Sequence, residues 1–127
     1  MKNYLHSDIT DKIIRAYYNV YNTLGFGFLE KVYEKSMLIE LRELGLFAQS
    51  QQRINVYYKD RLVGDYFADI IVDNKVIIEI KAADCLNPAH EAQLVNYLRG
   101  TDIEVGILLN FGEKPDQRRR VLTKDYK

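Results

Sequence analysis

The sequence predicts an α/β (α+β) fold, in which a mixed central β-sheet is flanked by helices in the order α-α-β-β-β-α-β. Two stretches with apolar residues at helical spacing come first, over residues 7–25 and 28–45. Apolar runs separated by short polar turns follow over residues 53–82. A third helical stretch and one more apolar run complete the pattern, and helices arranged in this way pack against a sheet.

Two helices open the chain. The first is "SDITDKIIRAYYNVYNTLG". Ser7 or Thr10 can cap this helix, and Gly25 and Gly27 end it. The second is "FLEKVYEKSMLIELRELG", which ends at Gly45. The side chains expected to face the core are Ile13, Ala16, Tyr17, Val20 and Leu24 in the first helix, and Leu29, Val32, Tyr33, Met37, Leu41 and Leu44 in the second.

The predicted strands follow these helices. The runs "RINVYYK" and "LVGDYFADIIV" flank the turn "KDR", and "DNK" turns the chain again into "VIIEIKA". The stretch "PAHEAQLVNYLRG" predicts a helix with Pro88 in its first turn and Gly100 at its end. "EVGILLNFG" predicts a central strand because it is mostly apolar, and a short last strand is expected near Val121.

Composition indicates one domain over residues 1–127, with an apolar fraction of 47% that is sufficient for a core. The 18 basic and 18 acidic residues give a formal net charge of zero, which argues against a protein that coats nucleic acid through overall positive charge. Cys85 is the one cysteine, so an internal disulfide and a cysteine-based zinc site are excluded.

The sequence also predicts a soluble, cytoplasmic protein. The stretch "MKNYLHSDIT" lacks the apolar core of a signal peptide. No run approaches the roughly 18 apolar residues that span a membrane, so no membrane partner is expected.

Three charged residues interrupt the apolar strands of "FADIIVDNKVIIEIKA". Side chains alternate across a strand, so Glu79 and Lys81 share one face. A two-residue turn would point Asp69 to the other face, whereas a three-residue turn pairs Val72 with Val76 and places Asp69 opposite Glu79. We favour the three-residue turn because it pairs apolar residues with each other.

Such an arrangement would be costly without a cation. Like charges directly opposite each other in a sheet repel, and partial burial adds several kcal/mol. A Mg²⁺ ion held by Asp69 and Glu79 would remove that cost, and Lys81 could stabilise charge on a phosphate. The alternative is a solvated face with a Glu79–Lys81 ion pair, and these three residues alone do not decide between the two.

The spacing of Asp69 and Glu79-Ile80-Lys81 resembles the signature of PD-(D/E)XK nucleases. Ala68 stands where the proline of that signature would be, a departure that many members of the superfamily share.

Further motifs sharpen this resemblance, which covers residues 8–122. "GFLEKVY" contains Gly27, Glu30 and Tyr33 at the spacing of the GxxExxY family within the superfamily. "AHEAQLVNYL" carries Gln93 and Tyr97, like the QxxxY motif of RecB-type nucleases. "VGILLNFG" followed by "RRRVL" also resembles the end of a GxxExxY protein.

The resemblance implies a PD-(D/E)XK nuclease-like core with Mg²⁺, or Mn²⁺, at an acidic face. It assigns the metal to Asp69, Glu79, Glu30 and the Ile80 carbonyl, and it adds Lys81, Gln93 and Tyr97 to the catalytic residues. The chain departs from the family at Tyr21, where members often have histidine, and at Phe26, where they often have proline.

Several of these residues also have a structural interpretation. Glu30 in the first turn of a helix complements the helix dipole. Gln93 and Tyr97, four residues apart on one helical face, could be a polar edge and a core tyrosine. Tyr33 is interpreted as a core residue with a bonded hydroxyl. Residues 118–120, the one basic run, are interpreted as solvated, with phosphate contacts as the alternative.

We therefore interpret the chain as a Mg²⁺-dependent nuclease whose partner is nucleic acid, with DNA favoured over RNA. The alternative is a catalytically inactive nuclease-like module that binds a protein partner or nucleic acid, for which the zero net charge is suitable. The sequence leaves the oligomeric state open, including a homodimer.

Overall fold

Five strands form one mixed sheet with three α-helices packed on its two faces in a computed structural model, which describes residues 4–127. The helices are α1 (Ser7–Leu24), α2 (Glu30–Glu43) and α3 (Pro88–Arg99), and the strands are β1 (Ala48–Tyr58), β2 (Arg61–Val72), β3 (Val76–Lys81), β4 (Val105–Phe111) and β5 (Pro115–Val121). A 3₁₀-helix (Lys124–Tyr126) follows β5. The predicted mixed α/β fold and element order are confirmed, with β5 as one further strand.

The strands lie side by side in chain order. Only the β3–β4 pair is parallel within the described sheet, and the long connection that this pairing requires contains α3. β4 is buried along its whole length because helices cover both of its faces. It lies between β3 and β5, one position from the middle of the sheet, which agrees with the interior strand expected from "EVGILLNFG".

Helices α1 and α2 cover one face of the sheet, and α3 covers the other. Within residues 4–127, none of the helices combines the length and the apolar character needed to cross a bilayer. The predicted cap of α1 is wrong: Ser7 is already the first helical residue, and His6 precedes it in a left-handed conformation without a side-chain cap. Thr10 instead donates its hydroxyl to the Ser7 carbonyl, 3.3 Å away.

The buried face of α2 differs from the predicted stripe. Leu29 precedes the helix and is 82% exposed, and Val32 is 38% exposed. Glu34 and Leu38 are buried instead, beside the correctly predicted Tyr33, Met37 and Leu41. The difference arises because α2 packs against both α1 and the sheet, which widens its buried face toward residues 34 and 38.

The β1–β2 ribbon continues far beyond β3. β2 pairs with β1 over residues 61–72 but with β3 only at residues 70–72. We call the overhanging part, residues 52–68, the β-arm; a two-residue turn with positive φ at Lys59 and Asp60 closes it. β1 begins at Ala48, five positions before the strand predicted from "RINVYYK".

The ribbon twists sharply where the β-arm begins. Gln51 has a left-handed φ of 50°, and it falls between the ladder pairs on either side of Asp69. Ile70 lies on one side of this point and packs in the core beneath α1 and α2. Ile54 and Ala68 lie on the other side, in the β-arm, and pack in the core beneath α3, although all three residues are at even positions. The twist therefore curls the β-arm over α3, with Asp69 at the bend.

The tightest approach between α3 and the sheet occurs at Gly106 of β4. A Cβ atom there would lie 2.7 Å from Cδ1 and 3.0 Å from Cγ of the fully buried Leu94. Overpacking of this kind costs about 1–3 kcal/mol, so we expect Gly106→Ala to lower the free energy of unfolding by that amount in urea titrations.

Gly100→Ala is the matched control for this substitution. Its new Cβ would meet no atom closer than 3.4 Å, so stability should change by less than about 1 kcal/mol. Equal losses from the two substitutions would contradict the close approach at Gly106.

Candidate metal centre

The turn between β2 and β3 sets the register of the predicted site. Val72 pairs with Val76 and Ile70 with Ile78, as the three-residue turn requires. Asp73 and Asn74 both have left-handed φ values, and the Lys75 N–H closes the turn by donating to the Val72 carbonyl at 2.9 Å. Regular β2–β3 pairing ends at residues 70 and 78, so Asp69 and Glu79 are the next opposed pair.

Asp69 and Glu79 bridge the two strands where that pairing ends. The Asp69 N–H donates to Oε2 of Glu79 at 2.8 Å, and the Ile80 N–H donates to Oδ2 of Asp69 at 2.8 Å. Each carboxylate thus uses one oxygen to hold the opposite strand. Within residues 4–127, no hydrogen bond engages Oδ1 of Asp69 or Oε1 of Glu79, and these oxygens are available to a ligand.

The electrostatics of the pair favour protonation without a cation. Burial raises the pKa of Glu79 to about 8, and the Asp69 charge adds to this, although the Asp69 N–H and the Lys81 ammonium oppose it. Burial also raises the pKa of Asp69, against the lowering effect of the Ile80 N–H and Lys81. Lys81 is half-buried, and within residues 4–127 its ammonium forms no direct ion pair with either carboxylate.

This donor set fits a hard divalent cation. Both carboxylates resist ionisation, each has a free oxygen, and a divalent ion would favour both charged forms. Across residues 4–127, no group of three or more His, Cys, Asp or Glu side chains is arranged to hold a metal ion. Mg²⁺ is commonly held by one or two carboxylates with waters and substrate phosphate, so Asp69 and Glu79 suffice for such a site.

Helix α2 brings two further carboxylates toward the pair. Glu30, predicted as a ligand, is the exposed first residue of α2, and its charge contributes to the raised pKa values of Asp69 and Glu79. Direct coordination by Glu30 stays a prediction, as does coordination by the Ile80 carbonyl.

Glu34, which is missing from the predicted site, is the buried carboxylate of α2. It is 5% exposed and accepts hydrogen bonds from Lys31 Nζ at 2.8 Å and Gln51 Nε2 at 2.7 Å. Its charge is among the causes of the raised pKa of Asp69. Because Gln51 is the left-handed residue at the bend, Glu34 ties α2 to the strand segment that positions Asp69.

Tyr33, the tyrosine of the Gly-x-x-Glu-x-x-Tyr motif, has a structural role. Its ring is fully buried and stacks on Phe111, with 4.1 Å between centroids. Its hydroxyl donates to the Gly25 carbonyl at 2.8 Å and accepts from the Phe28 N–H at 3.2 Å. Gly27, with φ of 110°, lies in the loop held this way, so Tyr33 fixes the loop that leads into Glu30. The interpretation of Tyr33 as a core residue is confirmed.

Helix α3 supplies a tyrosine from the other side of the sheet. Gln93 Nε2 donates to the Tyr97 hydroxyl at 3.0 Å. Burial raises the pKa of Tyr97 to about 12, and the charges of Glu79 and Asp69 add to this shift. Gln93 and Tyr97 are thus joined to each other, and Tyr97 lies near the carboxylates, whereas no hydrogen bond in the described part of the chain links either residue to Lys81.

A buried amide fixes the segment that follows Lys81. Asn110 of β4 is paired with Lys81, and its side chain accepts from the Ala83 N–H and donates to the Ala83 carbonyl, both at 3.0 Å. Asn110 is 1% exposed. A single amide inside the apolar run "GILLNFG" was the available signal for this residue, which the predicted site does not include.

Two other sequence features have structural roles. Arg118 and Arg120 contact Oε1 of Glu91 at 2.8 and 2.6 Å, which joins β5 to α3 and differs from the solvated run expected there. Tyr21 stands where the resemblance expects histidine. Its hydroxyl has one proton to donate and lies 2.7 Å from each of two carbonyl oxygens of the β4–β5 turn, those of Gly112 and Glu113.

Comparisons with known proteins agree with this geometry. The model of one protein family, described as the PD-(D/E)XK nuclease superfamily, matches residues 7–121. A solved structure entitled "Crystal structure of SSO0001" is similar with a TM-score of 0.57 and 21% sequence identity, over 94% of this chain and 61% of that chain. The chain thus spans about three fifths of that protein, and the similarity shows that the two share a fold. Among curated proteins, none matches the sequence.

The raised pKa of Glu79 predicts that stability depends on pH in metal-free protein. Unfolded protein loses the Glu79 proton near its ordinary pKa of 4.5, whereas folded protein keeps that proton up to about pH 8. The contribution of protonated Glu79 to the free energy of unfolding is fully present below pH 4.5. It is lost as the pH rises to 8, by at most about 1.4 kcal/mol per pH unit. In EDTA, we expect the Tm to fall across this range.

Glu79→Gln should remove most of that fall because glutamine does not ionise. The variant should melt above the parent at pH 8 and close to it near pH 5, as measured by circular dichroism. Glu43→Gln, at an exposed position of α2, should keep the parent's slope. A Glu79→Gln variant that is less stable than the parent at every pH would show that the carboxylate is needed for the fold itself.

Proposed function

The chain belongs to the PD-(D/E)XK nuclease superfamily, and we propose that it is a divalent-metal-dependent nuclease that hydrolyses phosphodiester bonds of DNA. The observation that carries this proposal is the opposed pair of Asp69 and Glu79, with Lys81 beside it, where β2 and β3 separate. The spacing of Gly27, Glu30 and Tyr33 supports membership of the GxxExxY family within the superfamily.

Asp69 and Glu79 would hold Mg²⁺ or Mn²⁺ through carboxylate oxygens, with Glu30 and the Ile80 carbonyl as further ligands. When bound, such an ion polarises a phosphate and lowers the pKa of a coordinated water. The backbone hydrogen bonds of Asp69 and Glu79 keep the two carboxylates oriented before any ligand arrives. This preorganisation reduces the reorganisation required during reaction.

Lys81 and Tyr97 would act on the phosphate. The Lys81 ammonium, two residues after Glu79 in β3, would stabilise negative charge that develops on phosphate oxygens. The Tyr97 hydroxyl is protonated at neutral pH, as a tyrosine hydroxyl ordinarily is, so it can donate a hydrogen bond. Gln93 holds that hydroxyl in place. DNA is favoured over RNA because this pair resembles the QxxxY motif of RecB-type nucleases.

A nuclease-like module that binds nucleic acid or a protein partner without cleavage is the second candidate. It is favoured by the balance of 18 basic and 18 acidic residues, which gives a formal net charge of zero and no overall attraction to nucleic acid. The two candidates differ in what purified protein does to labelled single- and double-stranded DNA and RNA in the presence of Mg²⁺, Mn²⁺ or EDTA. Cleavage that requires metal supports the nuclease, and binding without cleavage supports the module.

The roles of Lys81 and Asp69 can be separated by substitution. Lys81→Ala should lower the cleavage rate about 10²–10³-fold while Mn²⁺ affinity, measured by calorimetry, changes little, because an ammonium is not a ligand. Asp69→Ala should abolish both cleavage and metal binding.

Lys75→Ala, in the exposed β2–β3 turn, is the matched lysine control and should behave like the parent. Equal loss of metal binding in Lys81→Ala and Asp69→Ala would show that the role assigned to Lys81 is wrong.

A further inference from the structure

A groove of about 660 Å³ lies between α3 and the β-arm. Val56 and Tyr66 of the β-arm form one wall, and Gln93 and Tyr97 of α3 form the other. The volume is within the range of small-molecule sites, which is about 300–1,000 Å³. The groove exists because the ribbon bends at Gln51 and carries the β-arm over α3.

We propose that this groove binds one unpaired base of a DNA strand whose neighbouring phosphate lies at Asp69 and Glu79. The inference rests on the proposed function, and it specifies the form of the substrate as single-stranded or locally unpaired DNA.

The aromatic walls provide a surface for stacking. The rings of Tyr66 and Tyr97 lie 5.8 Å apart between centroids at an angle of 46°. Tyr97 is almost fully buried, but Tyr66 is 48% exposed, so part of its ring is open to a ligand. Stacking of a base on an aromatic side chain contributes substantially to single-strand binding and tolerates any base.

The polar lining suits the edge of a base. The Asn96 amide and the His90 imidazole both line the groove. His90 Nδ1 accepts from the Asn87 N–H at 3.3 Å, so Nε2 is the nitrogen left for a ligand. Arg99 is the one charged residue in the lining, and no carboxylate is among the lining residues described. A neutral, flat, hydrogen-bonding ring next to an anionic phosphate is complementary to this surface.

Tyr97 connects the groove to the candidate metal centre. Tyr97 lines the groove and belongs to the same buried cluster as Ala68, the residue that precedes Asp69 in β2. A nucleotide whose phosphate lies at the carboxylates can therefore direct its base into the groove. A base within a duplex would first have to leave its stack and its partner, which costs a few kcal/mol. The geometry thus favours unpaired DNA.

The groove can be tested by fluorescence anisotropy with a short labelled single-stranded DNA and Ca²⁺, a cation that carboxylate oxygens also hold, in the time before any cleavage is detected. Tyr66→Ala should weaken binding at least fivefold, in line with the loss of one base–aromatic stack. Tyr66→Phe should stay within twofold of the parent because it keeps the ring. Tyr58→Ala, which removes a more exposed tyrosine of the β-arm outside the groove, is the control and should also stay within twofold.

A duplex of the same sequence should bind more weakly than the single strand, and Tyr66→Ala should not alter its affinity. Unchanged single-strand affinity in Tyr66→Ala would overturn the inference, and so would equal weakening by Tyr58→Ala. Thermal melts establish that each variant is folded, which is expected because Tyr66 is half exposed.

Cleavage by the parent with Mg²⁺ tests the proposed function separately. Metal-dependent cleavage together with Tyr66-independent binding would reject the groove and leave the nuclease standing. Tyr66-dependent binding without cleavage under any metal would reject the nuclease and support the groove.

Discussion

Two hydrogen bonds between side chains and backbone hold β2 and β3 together at the point where their regular pairing ends. The Asp69 N–H binds Glu79, and the Ile80 N–H binds Asp69, so the carboxylates take the place of ladder bonds. A continuous sheet would separate the groups on its two faces. Because the strands part here, the charges of Glu34 and Glu30 of α2 add to the effect of burial in raising the pKa of Asp69, and the charges of Glu79 and Asp69 add to it in raising the pKa of Tyr97 in α3.

The same bonds give Asp69 and Glu79 two roles. They satisfy backbone N–H groups that the separating strands would otherwise leave without partners, which stabilises the bend. They also concentrate negative charge in a poorly solvated place, which raises the pKa of both. Loss of either side chain therefore affects local structure as well as ligand binding, and substitutions that keep an oxygen at the same place distinguish the two effects better than truncation.

Local patterns in the sequence were sufficient for the element order, the β2–β3 register and the approach of Asp69 to Glu79. Register was predictable because a two-residue turn would have paired the apolar Val72 with Lys75, whereas the three-residue turn pairs it with Val76. The burial of Glu34 was not predictable, because it depends on what α2 packs against and on Gln51 from another strand. The left-handed conformation of Gln51 and the hydrogen bonds between Asn110 and Ala83 likewise depend on residues that are distant in sequence.

The separation in sequence of the central residues has a consequence for the order of assembly. Asp69 and Glu79 are only 10 residues apart within one hairpin, so their pairing closes a short loop. Glu34 and Tyr97 reach the pair from helices distant in sequence, and β4 joins β3 only after the chain has passed through α3. We therefore expect the carboxylate pair to form early in folding, while its electrostatic environment is completed by the later docking of α2 and α3.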